Sequence, residues 1–472
     1  GEAVTAVEFG PDGLQFDEPI TVTLAYDPSA LPPGVTEEEL GFHLQVGDPA
    51  EGRWFFQAGS MVDPVTNTVS APLSHFSTGG VAPVRLEPAA SVAAAGSFTC
   101  AVNPDGQAFC WGRDNAGALG TNQTTATCKE LGSPVGDSPI VTDPCSTVPM
   151  PVEGQIVFSQ VSAADNSVCG VTTANDVYCW GRTLEAAFVA GDLPALVPGG
   201  TLFSQIDVGF RYACGTTTGG ALACWGRNNF GQLGDGSTTE SSSPVAVAGG
   251  VPLVSVDAGF WHSCGLTGLG EPFCWGRALF GVFGDGGVSP DSPLPVSAAS
   301  GLTLAEIEPG TVFTCGLEPD GTAHCWGGFN QFVGQHGTGT FANSNVPVPV
   351  AGGLSFADVE AHSHNNVFGV NCGITTSGAA YCWGNDSNGQ LGVGGAGNVC
   401  STVVGDVACE IAPVAVTGGL TFAELSVGGL HVCGRTPAGE LYCWGWNAWG
   451  QLGDGTQTDS NVPVRVASPV GG

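Results

Sequence analysis

Between residues 254 and 298 apolar and polar positions alternate in short bursts broken by turn residues. Val254-Ser255-Val256-Asp257-Ala258 has the two-residue period of a strand, and Gly259-Phe260-Trp261 turns it. Residues 262–266 read as a second strand, Thr267-Gly268-Leu269-Gly270 as a hairpin, and residues 272–275 as the returning strand. A long Gly/Asp/Ser loop follows, then a fourth strand at 294–297. The unit recurs. Cys-Trp-Gly stands at 110–112, 179–181, 224–226, 274–276, 325–327, 382–384 and 443–445. Each copy has a second cysteine ten residues upstream, at Cys100, Cys169, Cys214, Cys264, Cys315, Cys372 and Cys433. A constant short offset inside a variable long period means one structural unit repeated. Four short antiparallel strands per unit, set radially, predict an all-β, seven-bladed propeller. Its units run at about 89–152, 153–199, 200–248, 249–298, 299–350, 351–416 and 417–467.

The two cysteines of a unit face each other across its central hairpin. Cross-strand partners lie roughly 4.5–5.5 Å apart, within reach of a disulfide. That pairs Cys100 with Cys110, Cys169 with Cys179, Cys214 with Cys224, Cys264 with Cys274, Cys315 with Cys325, Cys372 with Cys382, and Cys433 with Cys443. Of the 18 cysteines four remain. They fall two by two into long insertions, 121–148 and 393–411, which pairs Cys128 with Cys145 and Cys400 with Cys409. No CxxC occurs, and ten-residue spacing inside a hairpin is not zinc spacing. Disulfides imply an oxidising location: secreted, periplasmic or cell surface. Each small closed loop contributes roughly 2–3 kcal/mol.

Residues 1–80 lack the unit. Strand-like stretches at 4–9, 20–26, 41–46, 54–57 and 68–73, separated by Pro/Gly turns, predict a small β-sandwich. Residues 81–88 read as a linker and 468–472 as a tail. Pro83-Val84-Arg85-Leu86 mimics Pro463-Val464-Arg465-Val466, the fourth strand of the last blade. The sequence leaves open whether it closes the ring or only links.

Composition narrows the function classes. Net charge is −33, from 43 acids against 10 bases, with Lys129 the single lysine. Such a surface repels polyanions and excludes nucleic acid as a partner. It suits solubility, high salt or divalent cations. No apolar run reaches the roughly 18 residues of a membrane span. No signal peptide is visible and the chain starts at Gly1, which reads as a mature or truncated product.

The pattern Val256-x-Ala258-Gly259-x-x-His262-Ser263 with Cys274-Trp275-Gly276, and Trp225-Gly226-Arg227-Asn228-Asn229-Phe230-Gly231-Gln232-Leu233-Gly234, resembles the repeat of the regulator of chromosome condensation. The resemblance covers about 87–467 and implies a seven-bladed propeller. The cysteine pairs depart from nuclear members and look more like a secreted bacterial branch. Nuclear members catalyse nucleotide exchange on a small GTPase and bind chromatin; oxidising chemistry and the −33 charge argue against both here. A secreted relative inhibits β-lactamase, which makes enzyme inhibition a special case. Leu14-Gln15-Phe16-Asp17-Glu18-Pro19-Ile20 and Leu73-Ser74-His75-Phe76-Ser77 resemble the β-domain of ankyrins and netrin receptors, found also on bacterial surface proteins. In some relatives of that domain a strained His-Phe-Ser bond cleaves itself, so His75, Phe76 and Ser77 are a candidate self-cleavage site, set against a plain closing strand.

Strand direction alone puts the AB and CD loops of every blade on one face. Variable aromatics, both insertions and the residues after Cys-Trp-Gly share it. Candidate contacts are Phe210, Arg211, Phe260, Trp261, Trp446 and Trp449, with Arg113, Arg182, Arg227 and Arg277 at one unit position. Against this stand packing between blades for the aromatics, and pairing with loop acids such as Asp235 or Asp285 for the arginines. The seven Cys-Trp-Gly tryptophans read as inter-blade core. No nucleotide loop, nucleophile elbow or HExxH occurs, so no enzyme and no cofactor is expected. His362-x-His364 is a weak metal pair, and Gly234-Asp235-Gly236, Gly284-Asp285-Gly286 and Gly453-Asp454-Gly455 look faintly like calcium loops but are better explained as turns. The resulting expectation is a secreted or surface binding scaffold for a protein, or less favourably a glycan, docking on the AB/CD face. The alternatives are a self-assembling surface-layer or filament component, and an extracellular enzyme inhibitor.

Overall fold

The computed structural model describes residues 5–8, 15–31, 40–45, 54–56, 60–75, 78–83, 86–122, 126–130, 141–182, 192–287, 289–299, 301–328, 334–364, 368–402 and 405–469. Seven antiparallel sheets follow one another from Ser91 to Arg465, five of four strands and two of five. Strands A to D of each blade follow one another along the chain, with one extra strand between C and D in the first and sixth blades. In the fourth blade they are Asp257–Ala258, His262–Leu266, Pro272–Gly276 and Ser292–Ser297.

The cysteines sit directly opposite each other on strands B and C, as in Cys264 with Cys274. All seven pairs are bonded, with Cα atoms 4.0–4.1 Å apart. Cys128–Cys145 and Cys400–Cys409 are bonded too, and no described cysteine is free. The Cys-Trp-Gly signature encodes a bulge. Strand D pairs with Cys274 and Gly276 but skips Trp275. Gly276 takes φ 97°, and a Cβ there would lie 2.8 Å from the Trp261 carbonyl oxygen, so only glycine fits.

The skipped tryptophans are fully buried and latch each blade to the one before. The indole N–H of Trp275 donates to the Gln232 carbonyl at 2.9 Å, and Trp326, Trp383 and Trp444 donate likewise to Val282, Gln335 and Gln390. Trp111 donates to Gln451 of the seventh blade, which closes the ring. Val92 N–H also donates to Glu424 across that seam. All four strands of the last blade lie between Glu424 and Arg465, so no strand is exchanged at closure. Leu86 and Ala89 instead pack beside Phe109, Trp111, Leu441 and Val466, and Glu87 bonds Arg465 at 2.6 Å. Leu86, the last residue of the segment that mimics a fourth strand, thus packs into the seam with Ala89.

Upstream, two sheets stack. One runs Thr5–Glu8, Thr78–Pro83, Leu40–Gln45, Trp54–Phe56; the other runs Gln15–Ala25, Thr68–His75, Met61–Asp63. Leu40 of the first is buried against Leu24, Val69 and Ala71 of the second. Strand Thr78–Pro83 pairs with Leu40–Gln45, so the pairing crosses the division expected at residue 80. Each propeller insertion is a hairpin that adds a fifth strand outside D: Ala126–Glu130 against Val141–Pro151, and Asn398–Thr402 against Gly405–Ala415.

Candidate partner-binding face

The AB turns of the third and fourth blades leave strands that end at Gly209 and Ala258, so their side chains stand side by side on one face. Phe210 and Phe260 stack with ring centres 3.9 Å apart and planes 8° from parallel. Phe260 meets Trp261 at 5.6 Å, and Trp261 stacks on Phe230 at 5.4 Å and 7°. Offset stacking at such distances holds the four rings as one ladder. Each ring is half-buried.

Arginines lie on the ladder. The Arg277 guanidinium is 3.8 Å from the Trp261 ring centre and 4.6 Å from that of Phe230. Arg211 and Arg227 lie 5.4 and 5.6 Å from Phe210. Arg182 is exposed and shares the field of the buried Asp165 carboxylate with Arg211. Burial lowers the Arg277 and Arg211 pKa values, and neighbouring arginines add to it. No described residue forms an ion pair with Arg227 or Arg277. Asp235 and Asp285, the loop acids set against them, are spent on their own turns, accepting from Ser237 N–H and from Gly287 and Ser289 N–H. The Trp261 indole N–H and Arg227 Nε–H are buried without an acceptor among the described residues.

The other half of the expected surface is closed. Trp449 is 0 % exposed, beneath Cys128–Cys145, with Trp446 half-buried beside it. Arg113 lies 4.3 Å from the Trp449 ring centre and is ion-paired with Asp143. Trp449 and Arg113 are therefore internal packing and not contacts; the first blade's insertion folds over the seventh blade and covers them.

Sequence reasoning passed over Phe230. It occupies the CD-loop position five residues after the tryptophan, which Phe280 and Trp449 fill in the fourth and seventh blades. It also passed over the central channel. Innermost strands direct Asp207, Asp257, Glu308, Asp358, Glu360 and Glu424 into a cavity of about 630 Å3. Three acids on these strands bracket the next blade: Asp207 accepts from Ala258 N–H at 2.7 Å, Glu306 from Val359 at 3.1 Å and Glu424 from Val92 at 3.1 Å. In the fifth blade Pro309 holds the register position that Ala258 holds in the fourth, so it has no N–H to offer Asp257. Burial first, then the charge of Asp358, pushes Glu306 up to about 8; burial first, then Glu424, pushes Asp358 up to about 6. Burial also raises Asp257, Glu308 and Glu360. Among the described residues no three His, Cys, Asp or Glu side chains are placed to hold a metal ion.

Phe76 and Ser77 lie outside the described residues, as does the His75 side chain; His75 ends a strand. His362 and His364 share strand Phe356–His364, with their side chains also outside the description. The Asp454 carboxylate, like those of Asp235 and Asp285, accepts from its own loop, at Thr456 N–H. No described helix is long and apolar enough to cross a membrane.

Comparison with known proteins agrees with the repeat. The profile of the regulator of chromosome condensation (RCC1) repeat matches residues 220–266 and 438–472, and a second profile of the same repeat matches 203–232. The Ultraviolet-B receptor UVR8 of Arabidopsis thaliana is 30% identical over 185 residues, 38% of this chain and 38% of that protein. The E3 ubiquitin-protein ligase HERC2 of Homo sapiens is 32% identical over 179 residues, 37% of this chain and 3% of its own length. Both matches span well under two thirds of these relatives. The crystal structure of human WBSCR16 superimposes with a TM-score of 0.61 at 20% identity, over 77% of this chain and 94% of that one, which shows a shared fold. Residues 203–266 and 438–472 of this disulfide-pinned propeller are thus similar to the RCC1 repeat.

Proposed function

We propose that the chain is a binding scaffold for a protein partner in an oxidising, extracytoplasmic location, docking through the AB/CD face of the third and fourth blades. The observation that carries this reading is the ladder of Phe210, Phe260, Trp261 and Phe230 with Arg227 and Arg277 on its faces and no ion pair to either from any described residue. Rigid aromatic rings anchor interfaces because they bury much area at little entropic cost, and arginines because they bind carboxylates in fork geometry. In a chain of charge −33, two guanidiniums without an ion pair among the described residues are available for an outside group. Nine disulfides support the location, since they persist where thiols are not kept reduced. Protein binding is also the role that RCC1-type relatives suggest.

The test is a photoactivatable phenylalanine analogue placed at residue 230 of the full chain, with a second version at residue 269 on the opposite face, where Leu269 is 78 % exposed. Irradiation in the native medium or envelope fraction is expected to join one protein to residue 230 and none to residue 269. Equal labelling from both, or a product consisting only of copies of the chain, contradicts the reading.

A further inference from the structure

One local construction occurs twice among the described residues. In both cases the arginine after Cys-Trp-Gly lies against the CD-loop aromatic of the preceding blade: Arg113 on Trp449, and Arg277 on Phe230. At the first pair the chain supplies its own cover. The insertion lays Cys128–Cys145 on Trp449, and Arg113 Nε donates to Asp143 at 2.7 Å. Asp143 stands two residues before Cys145 on strand Val141–Pro151, so carboxylate and sulfur share one face of that strand.

The second pair has no such cover. The fourth blade carries no insertion, Phe230 and Trp261 stay half-exposed, and Arg277 has no ion pair with any described residue. Asp291 lies in the field of Arg277, but its Oδ1 accepts from the Ala278 amide at 2.8 Å. Beside the pair opens a cleft of about 240 Å3 between the fourth and fifth blades. Leu279, Phe280, Val282 and Val312 wall it, and Trp261 and Arg277 form its rim. Leu279 is 41 % exposed. A cavity of about 150 Å3 admits benzene, so this one has room for a large apolar side chain.

We propose that this cleft takes an extended segment of a partner protein in which a carboxylate precedes a large apolar residue by two positions. The apolar side chain fills the cleft and the carboxylate pairs with Arg277, supplying at the open pair what Cys128–Cys145 and Asp143 supply at the closed one. Charge complementarity selects the acid, since a half-buried guanidinium on an aromatic face binds a carboxylate in fork geometry. The inference rests on the reading of this face as the docking surface.

The test pans a displayed library of random twelve-residue peptides on the full chain, in parallel with four variants, one of which, Phe260→Ala, removes a ring of the ladder. Arg277→Gln removes the charge. Leu279→Glu, at an exposed position, puts a carboxylate into the cleft without disturbing the core. Arg113→Gln makes the same change at the covered pair. Selected peptides are expected to carry Asp or Glu two positions before an aromatic or aliphatic residue. Their binding falls at least tenfold with Arg277→Gln, with Leu279→Glu, and with Asn or Gln for the peptide's acid, and is unchanged with Arg113→Gln. Peptides without an acid, or binding indifferent to both Arg277→Gln and Leu279→Glu, overturn the inference. If such peptides still lose binding with Phe260→Ala, the docking face stands and only the cleft's specificity falls. If no selected peptide responds to any of these substitutions, both readings fall.

Discussion

The indole N–H of Trp275 donates to the carbonyl of Gln232 in the preceding blade at 2.9 Å, and a Cβ on Gly234 would stand 2.7 Å from that same nitrogen. The loop Gly-x-x-Gly of one blade thus shapes the slot for the tryptophan of the next. The second blade lacks this loop sequence, and Trp225, which should use it, is buried with its N–H unbonded among the described residues.

That difference gives the first prediction. Trp275→Phe removes one of two donors to the buried Gln232 carbonyl, leaving the Ser263 hydroxyl at 3.0 Å, whereas Trp225→Phe removes a donor with no acceptor among the described residues. The first substitution should cost about 0.5–1.5 kcal/mol more than the second in denaturant unfolding. Equal costs would mean the latch is geometric and carries little energy.

Glycines in these loops should differ by what surrounds them. Gly234 and Gly250 have nearly the same dihedral, φ 69° and 70°, but nothing lies within 4 Å of a Cβ on Gly250. Gly250→Ala should cost only the left-handed strain of about 1–2 kcal/mol. Gly234→Ala must also displace Trp275 and should cost clearly more, read by thermal unfolding.

The acidic channel predicts a pH dependence. Glu306 and Asp358 are raised to about 8 and about 6 in the folded chain, from about 4 when unfolded. The folded state therefore binds more protons in that window, and stability is greatest below about pH 4 for these groups and is lost as pH rises toward 8. Both side chains are only partly buried, which tempers the effect. The melting temperature should fall from pH 5 to pH 8. Glu306→Gln, which keeps an acceptor for Val359 N–H, should flatten that fall.

Opening the first-blade insertion should expose what it covers. Cys128→Ser with Cys145→Ser is expected to destabilise by about 2–4 kcal/mol and to red-shift the emission of Trp449. An unchanged spectrum would mean that packing around Asp143 and Arg113 holds the cover without the bond.

The repeat, the nine sulfur pairs and the shared face of the AB and CD loops were legible in the sequence because each is local. Ten residues across a hairpin fix Cys264 against Cys274, and strand direction fixes which loops share a face. The fate of Trp449 was not legible. Its cover comes from Cys128 and Cys145, over three hundred residues away in sequence, and only ring closure brings them together. The channel was hidden for a related reason. Asp207, Asp257, Glu308 and Glu360 each read as an ordinary polar position of a half-buried strand. Their one visible signal is that they hold the same unit position in four consecutive blades, which gains meaning once the strands converge.

The most direct test of the docking face is the affinity of an isolated partner, or of a peptide selected on the chain, for Trp261→Ala and Leu269→Ala side by side, with melting temperatures recorded for both. Trp261→Ala should weaken binding at least a hundredfold, about 3 kcal/mol, while Leu269→Ala binds as the wild type does. Binding that survives Trp261→Ala but is lost with Leu269→Ala would place the partner on the other side of the ring and contradict the account.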